Sequence, residues 1–419
     1  MKLSVNLLPI LCLLLANTAK ACLTGNFNVV NSSLEIANPG VVWNQFEYVQ
    51  RKAPPAMTRN LNKRQIGGGT FQEPLDNYLT YYTMNVTIGN PLQTLNVLID
   101  TGSSDLWVPG YNYGGFDHRQ SSTWSKQDDN FAIRYVKGYA RGMWGTDTID
   151  FSSGASITDQ QFGVAIDSSD SAMGVFGIGP INSEAADTLY YNIPESLVRQ
   201  GLISKNIYSI YLDDQNSLTG HVLFGGIDRE KFVPPLQTVP VTSTSTLEVT
   251  LSSVSAGGQK TISSISVVLD TGTSLMYLPN SYVKTIAKAY GATYNQELDM
   301  YTLNKSSYNN LPESVRFNFQ GVVIQVPTKE VIWPLTWFTG KNEGGKYALT
   351  IMPNTQSLGY NILGDTFLRS AYVVYDLDYR EISIAPVRYS RLSDVVPVIG
   401  KLPTNNMDSD YYSDYSEDD

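Results

Sequence analysis

One apolar segment occurs twice in this chain. Leu98-Ile99-Asp100-Thr101-Gly102-Ser103-Ser104 is followed by Leu106-Trp107-Val108-Pro109, and Val268-Leu269-Asp270-Thr271-Gly272-Thr273-Ser274 by Met276-Tyr277-Leu278-Pro279, starting 170 residues later. A single copy would read as an ordinary strand ending in an Asp-containing turn. Two copies, each delivering Asp-Thr-Gly and then a hydroxyl, predict a duplicated lobe with its Asp at a pseudo-twofold axis. Val175-Phe176-Gly177 and Ile362-Leu363-Gly364 follow the first and second Asp by 75 and 92 residues, and are expected to pack beneath the two turns.

The surrounding sequence reads as all-β. Short runs such as Tyr81 to Ile88, Leu95 to Ile99 and Val267 to Leu269 are separated by Gly- or Asn-containing breaks about every ten residues. Helical pattern is confined to Ile193 to Gln200 and Ser281 to Tyr290, the latter introduced by Pro279-Asn280 and closed at Gly291. With 419 residues the chain is long enough for two cores. Its net charge of −10 supplies no attraction for nucleic acid or anionic lipid.

The ends carry processing signals. Lys2, the apolar run Leu7 to Ala16 and Ala19-Lys20-Ala21 predict a signal peptide over 1–21, cut after Ala21 and too short to span a membrane. Of the two cysteines, Cys12 leaves with that segment and Cys22 sits at its edge, so the body has no disulfide. Lys63-Arg64, followed by Gln65 and Gly67-Gly68-Gly69, predicts a processing site closing a prosegment over 22–64. Residues 1–64 hold seven basic and two acidic side chains, leaving 22 basic against 37 acidic in the rest. Such a cationic segment suits a cover over the face of an acidic body. Asn31, Asn85 and Asn304 head glycosylation sequons. Six acidic and no basic residues among Asp408 to Asp419 predict that 388–419 is a disordered acidic tail, and the lack of an apolar C-terminus argues against a lipid anchor.

The repeat resembles the pepsin-like aspartic proteases, and among them the secreted fungal and yeast enzymes of the candidapepsin type. The resemblance runs from about Tyr81 to Val387. It rests on Asp100-Thr101-Gly102-Ser103, Trp107, Tyr135, Asp270-Thr271-Gly272-Thr273, Ile362-Leu363-Gly364-Asp365 and Val373-Val374-Tyr375-Asp376. It implies a bilobal β fold, with lobes expected at 65–215 and 216–387 and a flap hairpin over the cleft between them. It also implies a monomeric endopeptidase made as a zymogen, inhibited by pepstatin and acting on extended peptides. Tyr135 would sit at the flap base, hydrogen bonded to the Trp107 indole, with Val136, Lys137 and Val175 beside the substrate.

The chemistry follows from the residue types. Two carboxyls brought close cannot both ionise cheaply, so they share a proton and titrate as a unit. The ionised member can take a proton from a water held between them while the protonated member donates to the peptide carbonyl, so neither metal nor cofactor is needed. Gly102 and Gly272 let the backbone approach the opposing Asp, and Ser103 and Thr273 place hydroxyls, by resemblance, on the outer carboxylate oxygens. Activity is then expected in acid, with prosegment lysines and arginines pairing with the cleft carboxylates near neutral pH.

The sequence departs from the family pattern in two places. Val136, Lys137 and Tyr139 replace the small residues usual at the flap tip, and the loops Tyr111 to Arg119 and Tyr301 to Phe317 lack the family's cysteine pairs. A metal hydrolase is disfavoured, because His118 and His221 are the only histidines and lie far apart in sequence. A serine hydrolase lacks its Gly-x-Ser-x-Gly turn. A catalytically impaired peptide-binding homologue stays open on the strength of the Val136-Lys137 flap. The product is expected outside the cell, with retention at the wall or in the periplasm left open.

Overall fold

In each half of the chain, the strand that ends in Asp-Thr-Gly is supported by a strand returning beside it. The computed structural model describes residues 41–50 and 80–402, apart from 136–137, 152, 170–172, 216–218, 305, 307–309 and 355–358. In chain order the first ten strands are β1 (Val42–Gln50), β2 (Thr80–Ile88), β3 (Gln93–Asp100), β4 (Leu106–Pro109), β5 (Ser125–Arg134), β6 (Tyr139–Asp150), β7 (Ser156–Ser168), β8 (Gly174–Gly177), β9 (Ile207–Leu212) and β10 (Thr219–Phe224).

β8 lies parallel to β3, with Asp100 opposite Gly177, and antiparallel to β4, which runs parallel to β7. The second half repeats this order and polarity. Ile362–Leu363 runs parallel to Ile265–Leu269 and antiparallel to Met276–Leu278, which in turn runs parallel to Ile351–Pro353. The short apolar runs are therefore buried strands, covered on both faces, and Ile99, Val108, Phe176, Leu269, Met276 and Leu363 are all fully enclosed. Gly177 and Gly364 are demanded by the crossing. A Cβ on Gly177 would lie 2.6 Å from the Asp105 amide nitrogen, and one on Gly364 would overlap the Thr273 carbonyl oxygen.

The halves are joined through one 13-stranded sheet. It runs from Gln237–Pro240 through Glu381–Pro386, Ala371–Asp376, β9, β10, β1 and β2 to β3 and the rest of the first lobe. At the seam the Tyr208 and Tyr375 rings stack at 4.9 Å, and the Tyr375 hydroxyl donates to the Leu269 carbonyl at 3.1 Å. The expected lobe boundary at 215 thus falls inside the β9–β10 hairpin of the joining sheet. β1 belongs to the segment read as a prosegment. Instead of lying over a face of the body it is an inner strand, antiparallel to β10 from Val42↔Phe224 and to β2 from Phe46↔Met84.

The expected helices form at Ile193–Arg199 and Asn280–Tyr290, the second closed by Gly291 in the left-handed region at φ 61°. The tail reading needs correction. Residues 388–402 are packed: Val395–Pro397 pairs with Gly226–Asp228, and Val398 and Leu402 are buried against Ile227 and Phe232. Two buried lysines hold this segment. Lys231 donates to the Ser390 and Leu392 carbonyls, and Lys205 to Asp376 and the Gly400 carbonyl. The acidic stretch from Asp408, with the signal peptide, Lys63, Arg64 and Asn31, lies outside the described residues. Asn85 and Asn304 lie on exposed strand positions.

Candidate active site

The two Asp-Thr-Gly turns meet at the floor of a cavity of about 580 Å³ between the lobes. Asp100 and Asp270 are both 7% exposed, and their carboxyls lie within hydrogen-bonding reach of each other. Each outer oxygen accepts from a hydroxyl of its own turn: Asp100 Oδ2 from Ser103 at 2.5 Å, and Asp270 Oδ2 from Thr273 at 2.6 Å. Each inner oxygen accepts its own turn's glycine N–H, from Gly102 and from Gly272, both at 2.8 Å. The glycines are nevertheless required by the opposite carboxyl. A Cβ on Gly102 would stand 2.7 Å from Asp270 Oδ1, and one on Gly272 would stand 2.7 Å from the Asp100 carboxyl carbon.

Below the carboxyls, the turns are cross-linked by residues that sequence reasoning did not single out. The Thr101 amide donates to Thr271 Oγ1 and the Thr271 amide to Thr101 Oγ1, both at 3.1 Å. The hydroxyls donate onward across the axis, Thr101 to the Leu269 carbonyl at 2.9 Å and Thr271 to the Ile99 carbonyl at 3.0 Å. The signal was present in the repeat itself, since both threonines stand at matching places in a segment too apolar to leave a hydroxyl unpaired.

Electrostatics follow from this enclosure. Burial first, and then the charge of Asp270, holds the Asp100 carboxyl well above the ordinary carboxylate range, against the opposing pull of the Ser103 and Gly102 donors. Two such groups lose their protons as a pair, so one proton stays on the floor through the acid range. Asp365 lies behind the second turn, its amide donating to the Thr273 carbonyl at 2.9 Å. It is fully buried and held well above its usual value, chiefly by burial and against the pull of Arg369. Arg369 is itself paired with the buried Glu330 at 2.6 Å.

One wall of the cavity is the β5–β6 hairpin. Tyr135 accepts a 2.8 Å hydrogen bond from the Trp107 indole N–H on its hydroxyl, and its amide donates to the Gly138 carbonyl at 2.7 Å. Trp107, Phe131, Ala140, Trp144 and Val175 form the apolar cluster behind it. Val175 thus belongs to that buried backing and is not among the cavity-lining residues, contrary to its expected place beside the substrate. Val136 and Lys137 lie outside the described residues. Pro180, Ser183, Thr246, Leu247 and Tyr360, which no repeat or motif marked, complete much of the lining with Tyr277 from the second copy of the repeat. Among the described residues no cluster of His, Cys, Asp or Glu is arranged to hold a metal ion.

A doubled β lobe with paired carboxyls on the floor of the cleft and a tyrosine-bearing hairpin at its wall defines an aspartic-type endopeptidase. Comparison with known proteins agrees. The model of the eukaryotic aspartyl protease family matches residues 81–387. Candidapepsin-3 of Candida albicans is 34% identical over 400 residues, covering 91% of this chain and 94% of its own. The probable aspartic-type endopeptidase opsB of Aspergillus oryzae is 36% identical over 379 residues, covering 83% and 76%. The crystal structure of the aspartic proteinase from Irpex lacteus superposes with a TM-score of 0.65 at 27% identity, over 75% of this chain and 96% of that one. This chain belongs to the eukaryotic aspartyl protease family, and it is a secreted, extracellular peptidase of the fungal and yeast branch.

Proposed function

We propose that Asp100 and Asp270 hydrolyse peptide bonds with one shared proton and one water between them. The reading is carried by the mutual approach of the two turns, in which each glycine abuts the opposite carboxyl. The ionised carboxylate takes a proton from the water as its oxygen adds to the peptide carbon. The protonated carboxyl gives its proton to the carbonyl oxygen, leaving a neutral gem-diol. Collapse of that diol returns one proton to the floor, delivers one to the departing amine and breaks the C–N bond, with no acyl-enzyme. Ser103 and Thr273 keep the outer oxygens fixed, and the Trp107–Tyr135 pair holds the hairpin wall in place. The enzyme then works in acid and fails as the shared proton is lost.

The chain is made as a precursor, in this reading, with a signal peptide over 1–21, a prosegment over 22–64 and a cut after Lys63-Arg64. Support comes from β1, which lies in that prosegment and fills an inner position of the joining sheet. Asn85 and Asn304, both exposed, are the sequons in reach of a glycosyltransferase. The substrate is a peptide in extended form lying along the cavity, and pepstatin occupies the same floor.

The test is hydrolysis of a peptide library by the processed enzyme, by Asp100→Asn and by Asp270→Asn, each assayed from pH 3 to pH 7. Loss of at least about a thousandfold in kcat for either variant, with unchanged melting and no dependence on added metal, is expected. Residual turnover near the parent rate in either variant would overturn the reading.

A further inference from the structure

The described cavity lining carries one cation. Apart from Asp100 and Asp270, the lining residues are apolar or neutral except for Arg134. Arg134 is the last residue of β5, opposite Tyr139 across the hairpin and immediately before Tyr135. Strand alternation sets Ala132 and Arg134 on the exposed side, while Phe131 is buried and Ile133 packs against the Trp107 cluster. Among the described residues no carboxylate forms an ion pair with Arg134. Among the described residues, other cations on or near the hairpin are engaged: Lys126 pairs with Asp129, Arg119 is clamped on Asp117, and Arg141 lies over the Tyr139 ring.

We infer that Arg134 is a specificity residue that recruits a carboxylate side chain of the peptide, so that the enzyme prefers substrates bearing Glu or Asp at one position near the cleaved bond. The inference rests on the peptidase reading and adds the substrate class. A guanidinium stays charged throughout the acid range, and its planar fork matches a carboxylate in two parallel hydrogen bonds. The floor carries about one negative charge while it shares its proton, so a substrate carboxylate arriving without a cation would be repelled. Arg134 supplies that cation at the wall, clear of the floor. A peptide laid in extended form beside the hairpin presents alternate side chains to it, which confines the preference to one position and leaves its neighbours indifferent.

The experiment walks a Glu/Gln pair through each position of an otherwise fixed, readily cleaved neutral peptide, at pH 5, where a free Glu is mostly ionised. The parent enzyme is expected to favour Glu over Gln about threefold in kcat/KM at one position, the size typical of an exposed ion pair. Arg134→Lys keeps most of that ratio, Arg134→Gln brings it to about one, and Arg134→Glu inverts it. Ratios near one at every position, or a Glu preference that survives Arg134→Gln, overturn the inference while cleavage of the neutral peptide leaves the peptidase reading standing. No cleavage of any peptide by an enzyme that still melts cooperatively would overturn both.

Discussion

Ser103 and Thr273 each donate to the outer oxygen of a floor carboxyl, and in the proposed mechanism that contact bears on where the shared proton sits. Because the Ser103 hydroxyl donates to Asp100 and favours its ionised form, Ser103→Ala should lift the titration of the pair further. The alkaline limb of the kcat/KM profile is then expected to move upward by about one pH unit, the worth of one hydrogen bond to a charged group. A profile that does not move would show that the hydroxyl is only structural. Tyr135→Phe leaves the Trp107 N–H, 4% exposed, without its acceptor. Its expected cost is about tenfold in kcat/KM with a melting point lowered by a few degrees, read by peptide hydrolysis and thermal melts. The pair Asp100 and Asp270, the two glycines and the two hydroxyl residues were legible because each occurs twice in matching context. The repeat marked Thr101 and Thr271 as hydroxyls in need of partners but not as partners of each other, and the Asp365, Arg369 and Glu330 group carried no mark, since nothing in a linear chain says which buried polar atom will face which.

Among elements, the supporting strands make the strictest demands. Gly177→Ala and Gly364→Ala push a methyl into backbone on the neighbouring turn, where no side chain can yield. Each is expected to cost more than about 3 kcal/mol or to prevent secretion of folded protein. Gly400→Ala, with open space at its Cβ, serves as the neutral control in denaturant melts. Truncation after Val387 removes Val398 and Leu402 from beside Ile227 and Phe232, and leaves Lys205 and Lys231 short of carbonyl acceptors. A loss of several kcal/mol is expected in the same melts. The two longer helices were readable from their periodicity and end signals. Thr328–Val331, Thr336–Thr339 and Asp365–Leu368 are single turns, too short for any period to register. The strand at Val395–Pro397 was lost among Pro, Ser and Asp, because its cohesion comes from two lysines far away in sequence.

For the whole molecule, acidity is built into the interior. Asp100, Asp105, Glu184 and Asp365 are all held above their ordinary values, with burial the leading cause in each. Between the unfolded values, near 4, and the raised folded ones, the native protein binds more protons than the unfolded chain. The stability those groups confer is therefore complete below the unfolded range and drains away as the pH climbs through the folded one. Thermal melts at pH 4, 5.5 and 7 should give steadily lower midpoints, with Asp365→Asn flattening the fall; a midpoint that rises toward neutrality would refute this account. Timing of synthesis follows from β1. Val42 leaves the ribosome early, yet its sheet partner Phe224 is 182 residues further on. β1 enters the secretory channel ahead of β10 and must wait, half matched, until those 182 further residues have followed it. A long-range closure of this kind is slow to form, which hands the cell an interval in which export can outrun folding.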